Sequence, residues 1–407
     1  MTKSILYISQ YVSLPGTATA GTRGFYLMRE IAKKGIRCTI ITSDNVYHSI
    51  NNSSRGSLTN SDTPNLCILR LRTIKYKRSK SFLRILGWLK FELKLYRIPK
   101  KMLSRPDVII VSSLSLFTIL NGIRLKKLYG SKLIFEIRDI WPLTLVEEGG
   151  YRKSNPFIML LGLIEKYGYS KADIIVGTMP NLAEHVKHVV KTEKRVECIP
   201  FGLDDQTILS SPSDVIQTSL INTYIPRDKF VVCYAGSIGL TNALETLFKC
   251  AELMKQDKDV HFIIMGDGDL KIQYQREFGH LKNVSFFPQI EKHMLQSILV
   301  ACDLLYFATK NSLVWRYGQS LNKIIDYMLA GRPIIGSYSG YPSMINEADC
   351  GSFVPAENEV ALMKEIVRYK MMPKEERDRI GKRGHDWLLE NRKYQYLADK
   401  YIDIING

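Results

Sequence analysis

Residues 317–335 read YGQSLNKIIDYMLAGRPII, and the punctuation inside this stretch decides how the rest of the chain is read. Gly331 stands where a left-handed helix cap belongs, Pro333 forbids continuation, and Pro333-Ile334-Ile335 can open a strand. A loop, a short helix and a strand are therefore predicted in succession. Ser320 is placed to accept from the first free amides, and Gly318 lets the backbone come close to whatever occupies the positive end of the helix. Such an end favours an anion. Lys323 and Asp326 fall three residues apart on one face, displaced roughly 4.5 Å along the axis. That spacing suits phosphate followed by a sugar hydroxyl. It equally suits a solvated i,i+3 ion pair, and the stretch alone leaves both readings open.

Outward from this helix, strand-like runs and amphipathic helices alternate from end to end, the pattern of parallel sheets covered on both faces. In the first half the runs are SILYIS, CTIITS, DVIIVS, KLIFEI and DIIVGT, with helices such as GFYLMREIAKK and LFTILNGIRLKKL between them. Residues 203–228 are polar and rich in turn formers, which predicts an interdomain linker. A second series follows: KFVVCYAGS, VHFIIMG, VSFFPQ, ACDLLYFA, RPIIGS and GSFVP. The expected class is α/β with two doubly wound, Rossmann-like domains. Residues 1–203 form the first, 204–228 the linker and 229–372 the second, and the helical tail 373–407 is expected to pack across both.

The chain has 407 residues, enough for two cores of about 200 residues each. Its seven cysteines have no CxxC pairing and sit in apolar runs, as expected of reduced thiols in a cytoplasmic protein. No stretch reaches the length of a membrane span, and the start MTKSILYISQ reads as a strand without signal-peptide architecture. The net charge is +17, which favours anionic partners. Between Arg70 and Arg105 there are thirteen Lys or Arg against the single acid Glu92. Phe82, Ile85, Leu86, Leu89, Leu93 and Tyr96 recur there at helical spacing, so a basic amphipathic helix lying on an anionic membrane surface is expected. The alternative is a helix packed on its own domain with a solvated basic back. Nucleic-acid motifs are absent, and no nucleic-acid partner is expected.

Open sheets of this class bind ligands at the carboxyl ends of their strands, so the loops there carry the candidates. In AGSIGLTNALETL, Gly236 and Gly239 permit close backbone approach and Ser237 can donate, which makes a phosphate cradle or an ordinary tight turn. Gly266 opens MGDGDL, whose Asp267-Gly268-Asp269 is read as a turn and not as a metal pair. In the first domain, Thr17 lies in a small-residue loop and Arg23 in the first turn of the helix that follows. The strand KLIFEI runs into Glu136, Arg138, Asp139 and Trp141. An Arg beside a cleft suits phosphate, although Arg138 and Asp139 can also pair with each other. His185 and His188 are read as solvated helix residues, and neither a metal site nor a nucleophilic triad is expected.

Taken together, FEIRDIWP, KADIIVGTMPNLAEHV, VVCYAGSIG, FIIMGDG, NVSFFPQI and YGQSLNKIIDYMLAGRPII with GSFVPAENEVALMKEI behind it resemble the family 4 retaining glycosyltransferases of GT-B architecture. That architecture sets two Rossmann-like domains across a cleft. The variants with RDIWP and YGxSxNKxxDYMxAG resemble bacterial O-antigen or capsule enzymes of the N-acetylfucosamine-transferase type. The resemblance implies a first domain that binds the acceptor, through Thr17, Arg23, Glu136 and Trp141, and a second that binds a UDP-sugar. Asp326 would accept the ribose hydroxyls and Lys323 would lie near the pyrophosphate. Gly318, Gln319, Ser320, Gly236, Ser237, Gly239 and Gly266 would face the phosphates, and Gln289 and Ile290 would border the base. Lys323, Arg138 and Asp139 are the catalytic candidates, with no metal or other cofactor. A polyprenyl-diphosphate-linked saccharide would be the acceptor and the inner face of the cytoplasmic membrane the place of work. Three departures stand out: Gly318 where the family often has Glu, no Arg or Lys between Ser237 and Asn242, and Arg138 in place of a usual His. The losses keep two other readings open, a GT-B-fold UDP-sugar 2-epimerase and a non-catalytic nucleotide-sugar-binding protein.

Overall fold

A computed structural model describes all residues except 1–2, 15–21, 45–57, 61–62, 75–81, 100–102, 206–213 and 227. The chain divides into two compact units, residues 1–202 with 394–407 and residues 203–393. The first unit is built on an eight-stranded sheet in the order β3-β4-β2-β1-β5-β6-β7-β8. Its strands are β1 (Ser4–Ile8), β2 (Arg37–Ser43), β3 (Leu58–Asn60), β4 (Leu66–Leu71), β5 (Val108–Ser112), β6 (Lys132–Ile137), β7 (Ile174–Gly177) and β8 (Val196–Cys198). All are parallel except the edge strand β3, which pairs antiparallel with β4. The helices are α1 (Arg23–Lys33), α2 (Phe82–Tyr96), α3 (Thr118–Tyr129), α4 (Leu143–Glu147), α5 (Pro156–Lys171) and α6 (Leu182–Val190). Every residue of β1 is buried, because Ile5 and Tyr7 face one helical layer and Leu6 and Ile8 the other, as two-sided burial requires. β3, β4 and β8 were not anticipated.

The second unit holds a six-stranded parallel sheet in the order β11-β10-β9-β12-β13-β14. Its strands are β9 (Phe230–Ala235), β10 (Val260–Met265), β11 (Val284–Phe287), β12 (Leu304–Ala308), β13 (Ile334–Ser337) and β14 (Gly351–Val354), the six that the sequence predicts. The helices are α7 (Asp214–Tyr224), α8 (Glu245–Leu253), α9 (Lys271–Phe278), α10 (Lys292–Val300), α11 (Asn322–Leu329), α12 (Met344–Glu347), α13 (Glu359–Met371) and α14 (Lys374–Asn391). The expected linker thus contains a helix, α7, and Tyr224 at its end sets its ring edge-on to Phe287 of β11 at 4.8 Å. The tail divides. α14 lies against α11 in the second unit, where Gly381 leaves no room for a Cβ, which would come 2.0 Å from the Gly331 carbonyl oxygen. The last helix, α15 (Tyr394–Asn406), returns to the first unit and covers α1. The seven cysteines are all free, and five are buried.

Candidate functional site

The order of the second sheet reverses between β9 and β12, and the crevice beyond such a switch point is where open α/β sheets take ligands. α11 is pinned over it by the buried Tyr327, whose hydroxyl accepts from Ala235 N (2.8 Å) and reaches the carbonyls of Ala235 (3.1 Å) and Tyr306 (3.0 Å), at or near the carboxyl ends of β9 and β12. One turn earlier on the same helix, Lys323 extends past the edge of the sheet. Its amine donates to the Tyr234 hydroxyl (3.0 Å) and to Asn242 Oδ1 and stands 4.6 Å from the Tyr234 ring centroid. Tyr234 in turn donates to the Ser237 carbonyl at 2.6 Å. Burial without a carboxylate partner pushes the Lys323 ammonium down to about 7. The i,i+3 ion pair with Asp326 is not formed; the amine is held by neutral groups, where an arriving anion would be its first counter-charge.

The loops that face this amine are close together. Gly266, at φ 149°, passes so near the Gly236 carbonyl oxygen that a Cβ would lie 1.9 Å from it, so glycine is obligatory there. Gly236 lies against the Lys323 side chain, and a Cβ built on it would be 3.5 Å from Nζ. Ser237 is exposed and Gly239 half-buried in the turn that follows. Asp267 Oδ1 accepts from Gly268 N at 2.8 Å, the turn anticipated for Asp267-Gly268-Asp269. Gln289 is exposed and Ile290 half-buried just past β11. Among the described residues, no three or more His, Cys, Asp or Glu gather where they could hold a metal.

At the start of α11 the expected cap differs. The capping position belongs to Leu321, with no side-chain hydrogen bond, and Ser320 lies one residue outside. The Leu321 side chain therefore caps none of the α11 amides, of which Ile324 N bonds the Leu321 carbonyl at 3.1 Å. Gly331 has φ 63°, the left-handed cap that the sequence reading requires, and Gly318, read as allowing close backbone approach, has φ 96°. Lys271, which no motif flags, was missed. Its amine donates to the carbonyls of Gly266 (2.7 Å) and Phe287 (3.0 Å), placing a second cation beside the Gly266 turn where the 237–242 loop supplies none.

In the first unit the candidates separate. Thr17 lies outside the described residues. Arg23 and Glu136, expected to meet an acceptor, are 1% and 0% exposed and bind each other at 2.7 Å. Arg23 also donates to the carbonyls of Ile199 (2.7 Å) and Pro200 (3.3 Å), while Tyr7 (2.9 Å) and Tyr401 (3.4 Å) donate to Glu136. Burial raises the Glu136 carboxyl, but the adjacent guanidinium prevails and holds it below the ordinary range. A pair this deep has no surface to offer an acceptor and works instead as a structural pin. Arg138 and Asp139 remain at the carboxyl end of β6, half-buried. They are not paired as the alternative would have it: the Arg138 guanidinium lies 5.8 Å from the Phe201 ring, and Asp139 accepts from Trp141 Nε1 (2.8 Å) and Thr144 Oγ1 (2.7 Å). Asp139 thereby orients Trp141, and burial raises its carboxyl despite those bonds. His185 is not solvated. It is 4% exposed and meets Glu165 Oε1 at 2.7 Å, a carboxylate twenty residues earlier that the i,i+3 comparison with His188 could not reveal.

Residues 229–370 match the family model described as Glycosyl transferases group 1. A protein described as probable glycosyltransferase WbjE, from Pseudomonas aeruginosa, is 22% identical over 64% of this chain and 66% of its own length. Sucrose-phosphate synthase from Thermosynechococcus elongatus superposes with a TM-score of 0.75 at 18% identity, covering 99% of this chain and 98% of that one. HepE of Anabaena, solved in complex with UDP, gives 0.67 at 13% identity over 99% of each chain. The second unit therefore carries a glycosyl transferases group 1 domain, and the chain has the two-sheet GT-B architecture of these proteins.

Proposed function

We propose that the protein is a retaining glycosyltransferase that moves a sugar from UDP to a polyprenyl-diphosphate-linked saccharide in the assembly of a bacterial O-antigen or capsule. The sugar we infer is an N-acetylated deoxyhexosamine of the N-acetylfucosamine type. The observation that carries the reading is the Lys323 amine, buried among neutral groups in the first turn of α11 beside the touching glycine turns at 236 and 266. A diphosphate answers each of these features at once. HepE, with a similar fold, was solved with UDP, which supports the choice of nucleotide. Chemistry then needs no protein nucleophile. The C1–O bond to the diphosphate breaks, the acceptor oxygen bonds C1 from the same face, and the departing phosphate takes the acceptor's proton. Lys323 and the helix amides stabilise the charge that develops on the leaving group, with no metal in the scheme. Arg138 and Asp139 are the catalytic candidates in the first unit.

Calorimetry with a panel of UDP- and GDP-sugars in EDTA tests this reading. One nucleotide series is expected to bind, and Asp326→Ala, which removes the inferred ribose acceptor, should weaken it by about 1.5–3 kcal/mol. Failure of every sugar nucleotide to bind would remove the donor site, and binding without turnover of any acceptor would favour the non-catalytic alternative.

The same reading places the protein on the inner face of the cytoplasmic membrane. No helix among the described residues is long and apolar enough to cross a bilayer. α2 buries Trp88, Phe91 and Leu95 and turns Leu89, Leu93 and Tyr96 outward. Its single acid, Glu92, points inward to Thr118 Oγ1 (2.5 Å) and Asn121 Nδ2 (2.8 Å) of the neighbouring α3. α5, on the other side of α3, exposes Met159, Leu160, Leu163 and Tyr167, and its one acid, Glu165, is buried. Among the described residues, no acid faces outward on these helices, whose exposed side chains include the apolar ones above and Lys90, Lys127, Lys166 and Lys171. An anionic leaflet complements that surface. Leu93→Glu combined with Leu163→Glu is expected to reduce binding to phosphatidylglycerol vesicles at least about tenfold while leaving UDP binding intact. Unchanged vesicle binding would sink the membrane assignment.

A further inference from the structure

α2 is fastened differently at its two ends. Toward its last turn it is locked to α3: Glu92 accepts from Thr118 Oγ1 and Asn121 Nδ2, and the Arg124 guanidinium stands 4.2 Å from the Tyr96 ring while donating to the Tyr96 carbonyl at 3.0 Å. Near its start the tie is Trp88. This residue is 4% exposed although Leu89 beside it is 44% exposed, so the two point to opposite sides of the helix. Trp88 Nε1 donates to the Tyr11 hydroxyl (2.6 Å), just past β1, and the Trp88 ring meets that of Trp141, just past β6, edge-on at 5.6 Å. Arg84, one turn earlier, places its guanidinium 5.2 Å from the Trp88 ring and helps to hold it. One buried indole thus joins the helix that turns Leu89 and Leu93 outward to the carboxyl edge of the first sheet, spanning the end of β5, which lies between β1 and β6.

The segment that this indole reaches has little packing of its own. α4 buries none of its five residues. Polar bonds fix it instead: Trp141 Nε1 (2.8 Å) and Thr144 Oγ1 (2.7 Å) to the Asp139 carboxylate, and Trp141 N to the Asp139 carbonyl (3.0 Å), Thr144 N to that of Ile140 (2.8 Å) and Val146 N to that of Pro142 (3.2 Å). Segments with few buried apolar contacts open most readily, and an edge-on aromatic pair shifts such an equilibrium by about two- to twelvefold. We infer that Trp88 is a positioning residue, through which seating α2 on an anionic leaflet orders residues 139–147 and with them the catalytic candidate Asp139. This deepens the membrane reading above and rests on it. A leaflet biases the segment only by binding better the state in which α2 and Trp141 are packed together. The single helix meets that condition, because holding Leu89 and Leu93 at the membrane fixes where the Trp88 indole stands. The coupling is reciprocal, so whatever orders the Asp139 segment tightens membrane binding by the same factor.

Hydrogen exchange of the full chain, followed by mass spectrometry with and without phosphatidylglycerol vesicles, tests the inference. In wild type, vesicles should slow exchange of the Trp141, Thr144 and Val146 amides about two- to twelvefold. Trp88→Leu should bind vesicles within about twofold of wild type, because Leu89, Leu93 and Tyr96 remain, yet show no vesicle-dependent slowing. Trp88→Phe keeps an aromatic edge and should restore most of it. A merely structural role predicts instead that Trp88→Leu exchanges faster throughout the first unit and still responds to vesicles. Should Trp88→Leu not fold, Tyr11→Phe, which takes away the acceptor of the indole N–H, should lose about half of the slowing or more. Wild type that binds vesicles without slowing would overturn the inference, as would equal slowing in Trp88→Leu. Loss of vesicle binding by Trp88→Leu would make the indole a membrane contact and overturn it too. If wild type does not bind vesicles, the membrane reading itself fails and this inference fails with it.

Discussion

Lys323→Met is expected to weaken UDP-sugar binding about 10- to 150-fold, the worth of one charged hydrogen bond in a partly desolvated site. The loss in kcat/KM should be larger, about 10²- to 10³-fold, because charge on the diphosphate grows as the glycosidic bond breaks. The pH dependence identifies the residue. In the free protein the Lys323 ammonium titrates at about 7, held down by burial. A bound diphosphate favours the charged form and raises that value. Above pH 7, binding must therefore take up a proton, and affinity should fall by up to about tenfold per pH unit, a slope that Lys323→Met lacks. Calorimetry in buffers of different ionisation enthalpy would count the proton. Stability without ligand has the opposite trend. Between pH 7 and the ordinary lysine value near 10.4 the unfolded chain binds more protons than the native one, so unfolding free energy should rise with pH across that window in wild type, relative to Lys323→Met. A flat affinity profile from pH 7 to 9 would show that another cation, with Lys271 the first candidate, holds the diphosphate.

What the sequence discloses here follows the range over which each cause acts. The end of α11 is local: Gly331 and Pro333 stop the helix within a few residues of where they sit, and the boundary is correspondingly legible. The six strands of the second sheet are equally local, each an apolar run between turn formers. The partners of Lys323 are not. Tyr234 and Asn242 are more than eighty residues away and reach it only because β9 and β12 are neighbours in the sheet, so spacing on the helix suggests Asp326 instead. Lys271 hides for a related reason, because what makes it notable is the pair of carbonyls it holds and not any motif around it.

The outward face of α2 shows a different limit. Its apolar residues cover more than one side of the helix. The stripe through Leu89, Leu93 and Tyr96 is genuine, but so is the one through Trp88, Phe91 and Leu95, and periodicity cannot say which is buried. The surrounding segment is also not one element. Arg70 and Leu71 close β4, and the helix runs only from Phe82 to Tyr96. Arg23 and Glu136 fail in the opposite sense. Charged residues at a helix start and near a strand end read as loop chemistry, and only the separation of 113 residues closed by the fold reveals that they neutralise each other inside the first unit.

That pair sets the largest expected effect on stability. Arg23→Met leaves the Glu136 carboxylate buried without its guanidinium partner, with hydroxyl donors such as those of Tyr7 and Tyr401, and it releases the carbonyls of Ile199 and Pro200, just before the chain leaves the first unit at Gly202. Removing one partner of a buried ion pair costs about 3–5 kcal/mol, which for a unit of this size lowers the melting temperature by roughly 6–20 °C. The remaining carboxyl can escape by taking up a proton, so the loss should be smaller at pH 5 than at pH 8. In the Arg23→Met background, adding Glu136→Gln should restore part of the stability, because it removes the uncompensated charge while keeping an acceptor for the tyrosines; a double-mutant cycle measures the coupling. UDP binding, which the proposed function assigns to the other unit, should be unchanged below the melting transition. If Arg23→Met melts like wild type yet loses acceptor turnover, Arg23 is an acceptor ligand after all and the buried pin is not what holds the first unit together.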